Sequence, residues 1–232
     1  MIELFNKPRF TLIKFPLIGI GSFILLLIWA STFYPGGTEN NPETTGYLFS
    51  ENYISDLGRI ITPSGVSNIT SVFIFIFAFL IMACVLFIFF YSNYTFYKKK
   101  FSYRGNMFKL GTFFGMCSSL CLLGVALAPV DINMKDHIVY AEWLFRFLFG
   151  GSVLLTISIY NMDKSTHVLS FGYFLIAFAT GIYILLSDFK LNSVLFSDVH
   201  VANVLTQKIT TLSLVVGFLL VGFFNNRFLK QQ

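Results

Sequence analysis

Charge is scarce in this sequence: Asp, Glu, Lys and Arg make up 12% of 232 residues, about half the share found in ordinary soluble domains. So few charges cannot cover a globule of this size, which excludes a soluble fold. Cysteine is sparse as well. Cys84, Cys117 and Cys121 all fall within long apolar stretches, so there is no disulfide framework outside them. Two thiols four apart, with Gly111, Gly115 and Ser118 nearby, read as a small-residue stripe for close helix contact. The sequence has no HExxH and no paired-cysteine metal signature, and no G-x-S-x-G to mark a serine nucleophile. It also lacks a soluble basic surface with interleaved aromatics, which excludes nucleic acid as a partner.

What is present is apolar. Hydrophobic residues reach 56%, with 30 phenylalanines and a mean hydropathy of +0.74. Six runs stand out, near 15–33, 69–91, 110–130, 138–160, 168–187 and 201–224, each about long enough to cross the hydrocarbon core as a helix. In lipid each run must satisfy its own backbone hydrogen bonds, so helices are expected, and no strand-like alternation argues for a barrel. The expected fold is a single all-α domain over 1–232, a polytopic bundle of six transmembrane helices with its longest loop at 34–68. Lys7, Arg9 and Lys14 before the first run give it the look of a signal peptide. That run is long for the purpose and has no small-x-small site before Ser31, so an uncleaved helix is expected.

Of the sixteen Lys and Arg residues, Lys7, Arg9, Lys14, Lys98, Lys99, Lys100, Arg104, Lys109, Lys164, Arg227 and Lys230 fall on one side of the spans. Arg59, Lys135 and Lys190 fall on the other, and Arg146 and Lys208 lie within spans. Positive charge near span ends stays cytoplasmic, so both termini are expected inside and the loops at 34–68, 131–137 and 188–200 outside. The run Lys98, Lys99, Lys100 then lies against anionic headgroups.

The long loop exceeds the length at which loops without structure of their own become uncommon. Its stretch from Tyr47 to Leu57 is aromatic-rich and reads as a short helix ended by Gly58 in a left-handed cap. Two roles stay open for it, an interfacial helix anchored by Tyr47, Phe49 and Tyr53, or a lid over a site.

Charges inside spans are the sharpest signal, because each costs about 2.5–3.5 kcal/mol at a helix centre. Glu142 and Arg146 are four apart on the fourth span, in the favourable pairing order, and Gln207 and Lys208 sit on the sixth. Counted from His137 and His200 at about 1.5 Å per residue, Glu142 lies about 8 Å down, Lys208 about 12 Å and Arg146 about 14 Å. One carboxylate against two cations calls for a further anion. Asp56, Asp131 or a bound phosphate or carboxylate could supply it, and a purely internal salt-bridge network is the alternative. His137 and His200 at the outer mouths of the same spans, with Asp131, could instead hold a zinc ion with one open position; otherwise no cofactor is expected.

Taken together, Ile54-Ser55-Asp56-Leu57-Gly58 after the first span, Pro129-Val130-Asp131 closing the third, His137 opening the fourth and Gln207-Lys208 in the sixth resemble a prokaryotic six-helix membrane family catalogued as a domain of unknown function. That family is distantly similar to Frag/DRAM/Sfk-type membrane proteins, which are associated with lipid handling, trafficking and autophagy. The resemblance implies the six-helix architecture and a prokaryotic plasma membrane, and brings no established reaction.

The combined expectation is an outward-opening polar pocket between spans four and six, covered by the long loop, that binds an anionic lipid headgroup or similar small ligand. Its residues are Glu142, Arg146, Gln207, Lys208, Asp56, Asp131 and His137. A membrane-embedded, metal-dependent lipid hydrolase using His137, His200 and Asp131 is the second expectation. A non-catalytic subunit of a membrane complex, with protein partners in the bilayer, is the third.

Overall fold

A computed structural model describes residues 7–101 and 105–230; Arg104, one of the charges used for orientation, lies outside the described residues. The fold is all-α. Its six long helices are α1 (Phe15–Thr32), α2 (Ile69–Phe101), α3 (Asn106–Leu127), α4 (Met134–Tyr160), α5 (His167–Ser187) and α6 (Val199–Lys230). With the helical turns that precede α1 and α5, each is long and apolar enough to cross a membrane, so the chain is a multi-pass membrane protein. The helices outrun the apolar segments. Helix α2 continues through Lys98, Lys99 and Lys100, because polar side chains do not interrupt backbone hydrogen bonding.

Local chemistry explains several helix starts. Pro16 has no N–H for the Leu12 carbonyl and would crowd it, and the chain absorbs this as a π-helical turn over Phe10–Lys14 in which the Phe15 N–H reaches the Phe10 carbonyl. The Asn133 side chain accepts the Asp136 N–H at the start of α4, and Asp163 does the same for the 3-10 turn Lys164–Thr166 before α5. The exposed Asp163 carboxyl is held below the usual carboxylate range by its hydrogen bonds from the Ser165 hydroxyl and N–H.

Consecutive helices pack side by side from α1 to α6, whereas α6 meets α1 only slightly. The bundle is thus a ring with one loose seam. Helices α3 and α4 approach most closely through Gly111, Gly115 and Gly151, part of the small-residue stripe; Cys117 and Cys121 are half-buried beside it and no cysteine is paired.

At the end carrying the termini, the bundle is closed. Asn93 Nδ2 donates to the Tyr173 hydroxyl (2.7 Å) and the Tyr97 hydroxyl to Asn225 Oδ1 (2.6 Å), tying α2 to α5 and α6. Phe89 and Phe90 of α2 pack edge-on to Phe218 of α6. Beyond Phe218, toward the long loop, the helices leave a space between them, and the loop roofs it.

That loop is a folded lid. Isolated bridges join Gly36 to Thr45 and Ile61 to Ser67, and the only helix in it is a 3-10 turn, Ile54–Gly58. Phe49 is 68% exposed, but the Tyr47 hydroxyl donates to the Asn52 carbonyl and Tyr53 packs on the His200 ring, so the aromatics chiefly hold the lid down. Burial, with Glu39 and Asp56 nearby, pushes the Tyr53 hydroxyl up to about 12, and burial beside Asp56 raises Tyr34 and Tyr47 further.

Gly58 is not the left-handed cap expected of it, since its φ is not positive. It is there for a close approach, as a methyl at Gly58 would lie 2.6 Å from the ring of Phe75, itself buried and packed on Phe79. Gly58→Ala is expected to cost about 1–3 kcal/mol by overpacking, read as a lower thermal midpoint in detergent. An unchanged midpoint would show that Phe75 can move aside.

Candidate functional site

The lid is anchored by side chains that the sequence had singled out by charge. Asp56, buried, accepts from Arg59 Nε at 2.7 Å, from the Tyr53 N–H at 2.8 Å and from Asn52 Nδ2 at 3.4 Å. Asp131, at the turn between α3 and α4, accepts the Ile60 and Ile61 N–H groups at 3.0 and 2.8 Å. Gln207 Oε1 accepts the Ile54 N–H at 2.9 Å, and His200 Nε2 lies 2.7 Å from the Glu51 carbonyl with Glu39 on its other nitrogen. Asn52 and Asn68, which carry no charge signal, complete the framework. Asn52 donates to the Gly37 carbonyl and Asn68 to the carbonyls of Leu57 and Arg59.

Lys208 enters this framework from below. Its ammonium donates to the backbone carbonyls of Phe49 and Asn52 and sits 4.9 Å from the Tyr47 ring centroid and 4.5 Å from that of Phe49, as a desolvated cation does. No carboxylate among the described residues forms an ion pair with it.

The structure separates Lys208 from the other span charges. Arg146 bridges Glu142 (3.0 Å) and Asp188 (2.9 Å) and lies over Trp143. The anion that Arg146 required is therefore Asp188, which ends α5 one residue beyond the apolar run. Its signal was available, since a carboxylate at a helix C-terminus opposes the dipole and needs a cation.

Two cavities lie under the lid. A central one of about 100 Å³ is lined by α1, α2, α3, α4 and α6, with Ser55, His137 and Gln207 as its polar residues at the lid end and Thr211 one turn below. Helices α4 and α6 do face each other across it, yet Glu142, Arg146 and Lys208 are not among its lining. The second is a groove of about 410 Å³ along the α1–α6 seam, almost wholly apolar, with Lys208, Tyr47 and Phe49 at its lid end.

His137, His200 and Asp131 are not brought together: His137 Nδ1–H donates to the Ala128 carbonyl at 2.7 Å, His200 serves the lid, and Asp131 is taken up by two backbone N–H groups. Among the described residues no three His, Cys, Asp or Glu side chains are grouped to hold a metal ion.

Fold and site define a six-helix multi-pass membrane protein with a roofed central cavity and a lateral groove headed by a lysine. Comparison with family models, with curated proteins and with solved structures returned no match.

Proposed function

We propose that the protein binds an anionic membrane lipid at the α1–α6 seam, with an acyl chain in the groove and the charged headgroup at Lys208, and that both termini face the cytoplasm of a prokaryotic cell. The observation that carries this reading is an ammonium within a candidate membrane span that has no carboxylate in an ion pair with it among the described residues and stands at the head of an apolar groove open along a loose helix seam. An ammonium has three N–H donors. Two meet lid carbonyls, and the third, without a hydrogen-bond acceptor among the described residues, is left for a phosphate or carboxylate oxygen, which makes a short charge-assisted bond. Arg146 is already balanced by two carboxylates and takes no part.

A lipid tail gains little by leaving bilayer for groove, since lipid is as apolar as leucine. Selectivity therefore rests with the headgroup. The resemblance of the lid and Gln207-Lys208 motifs to a family linked with lipid-handling proteins supports the same reading, and the Lys and Arg asymmetry supports the orientation.

The test is native mass spectrometry of the protein offered phosphatidylglycerol and phosphatidylcholine of identical chains. Wild type is expected to retain phosphatidylglycerol preferentially. Lys208→Gln, whose amide can still donate to the Phe49 and Asn52 carbonyls, is expected to lose that preference by about tenfold, or about 1.4 kcal/mol. Equal retention of both lipids by wild type, or an unchanged preference in the variant, would discard the proposal.

A further inference from the structure

The central cavity has a chemistry of its own, distinct from that of the groove. From His137 to Leu148 on α4 and from Gln207 to Phe218 on α6, at about 1.5 Å per residue, it runs about 16 Å along the bundle. The space open to the centres of water-sized spheres is only about 100 Å³, which over that length is a narrow slot, wide enough for one unbranched chain. Its walls are chiefly Leu, Val, Met and Phe side chains, with the Thr211 hydroxyl spent on the Gln207 carbonyl, and it ends on Phe218, where the aromatic cluster closes the bundle.

Its lid end is polar but carries no formal charge. Ser55 is only 8% exposed, and its hydroxyl has no hydrogen-bond partner among the described residues. Gln207 is fixed in orientation because its Oε1 accepts the Ile54 N–H. Its Nε2 is then a donor with no partner among the described residues. His137 completes the lining, with its Nδ1–H committed to Ala128. Ser55 and Gln207 both face the cavity with donors unused by any described residue, and a few polar groups at the end of an apolar pocket are how such sites fix a ligand's orientation. Two donors and no cation select a neutral oxygen acceptor over an anion.

The slot also has a way in. Phe23, Ile54, Thr211 and Val215 line both the slot and the seam groove, so these four side chains form the partition between them. We propose that the central cavity is a second binding compartment, which takes a single unbranched hydrocarbon chain with a neutral oxygen at its head, an acyl ester or an alcohol. The chain enters from the bilayer through the α1–α6 seam and places its oxygen against Ser55 and Gln207. Lys208 has no role in it.

The experiment uses the full chain in phosphatidylcholine nanodiscs, with methyl laurate, dodecanol and dodecane as probes and bound stoichiometry read by native mass spectrometry. Wild type is expected to bind one methyl laurate or one dodecanol per chain at least tenfold more tightly than dodecane, the ester-to-alcohol ratio showing which oxygen is preferred. Ser55→Ala is expected to bring the oxygenated probes toward the level of dodecane, and Ala141→Phe, which fills the slot just below His137, to abolish binding of all three. Should Ala141→Phe not fold, a wild-type series of longer methyl esters serves instead, with binding expected to fall once the chain exceeds the slot. Lys208→Gln is expected to leave every probe unaffected, so this inference and the anionic-lipid reading fail independently. Equal binding of dodecane and methyl laurate, binding that rises steadily with chain length, or no binding of any probe, as for a cavity holding only water, overturns it.

Discussion

Asp56→Ala is expected to destabilise the protein by about 3–5 kcal/mol, the usual result of removing one partner from a buried ion pair. The side chains of Asp56 and Arg59 are 6% and 14% exposed, so little solvent screens them. Alanine would strand the Arg59 guanidinium in the lid and would also orphan the Tyr53 N–H and one Asn52 Nδ2 bond, which together hold the 3-10 turn Ile54–Gly58 in shape. That turn carries Ile54 and Ser55, the roof of the central slot, so the loss reaches the candidate site. Asp56→Asn keeps the shape and an acceptor for Tyr53 while removing the charge, and a smaller loss is expected. Denaturant titration ranks the variants, and hydrogen exchange across 48–62 locates the damage. If the alanine variant unfolds with wild type and its lid amides exchange no faster, the Asp56 framework does not hold the lid.

How far the sequence reaches can be seen in Gln207 and Lys208. The apolar runs located all six long helices, because length and hydropathy are properties of a single segment. Direction around the helix is different. Neighbouring helical residues point about 100° apart, so Gln207 lines the central slot while Lys208 heads the seam groove. Without knowing which helices adjoin, the two could not be assigned to separate compartments. The same limit hid the partners of the two cations. Charge balance demanded an anion in the layer of Glu142, Arg146 and Lys208, but Asp188 from α5 answered for Arg146 and backbone carbonyls of the lid for Lys208. Carbonyl oxygens leave no trace in a count of charged residues. Asp56 and Asp131 were singled out as possible anions for that layer and prove instead to brace the lid, one through Arg59 and backbone, the other through two N–H groups. Ser55 stands in the Ile54–Gly58 motif with nothing in the sequence to fix a role for it, and only the fold sets it over a cavity.

The unequal responses expected at two adjacent glycines bear on what keeps that cavity narrow. A methyl at Gly151 would lie 3.0 Å from the Gly111 carbonyl oxygen and 3.2 Å from the Gly115 nitrogen, both backbone atoms of the facing helix. A methyl at Gly150 would meet chiefly the ring of Phe114 at 3.3 Å, a side chain that can rotate. Backbone cannot yield without moving all of α3, so Gly151→Ala is expected to cost about 1–3 kcal/mol, and Gly151→Leu to prevent assembly of the α3–α4 pair. Gly150→Ala trades a small side-chain adjustment for a gain of up to about 1 kcal/mol in helix propensity and is expected to be near neutral. Unfolding in mixed micelles gives the comparison directly, and a Gly151→Ala protein as stable as Gly150→Ala would mean that the α3–α4 spacing is not set by backbone contact. The consequence extends beyond stability. Leu122 and Val125 of α3 and His137 and Ala141 of α4 form one side of the slot, so separating these helices widens it. A Gly151→Ala protein that folds should therefore admit a branched chain that wild type refuses, because the glycine contact sets the slot's width.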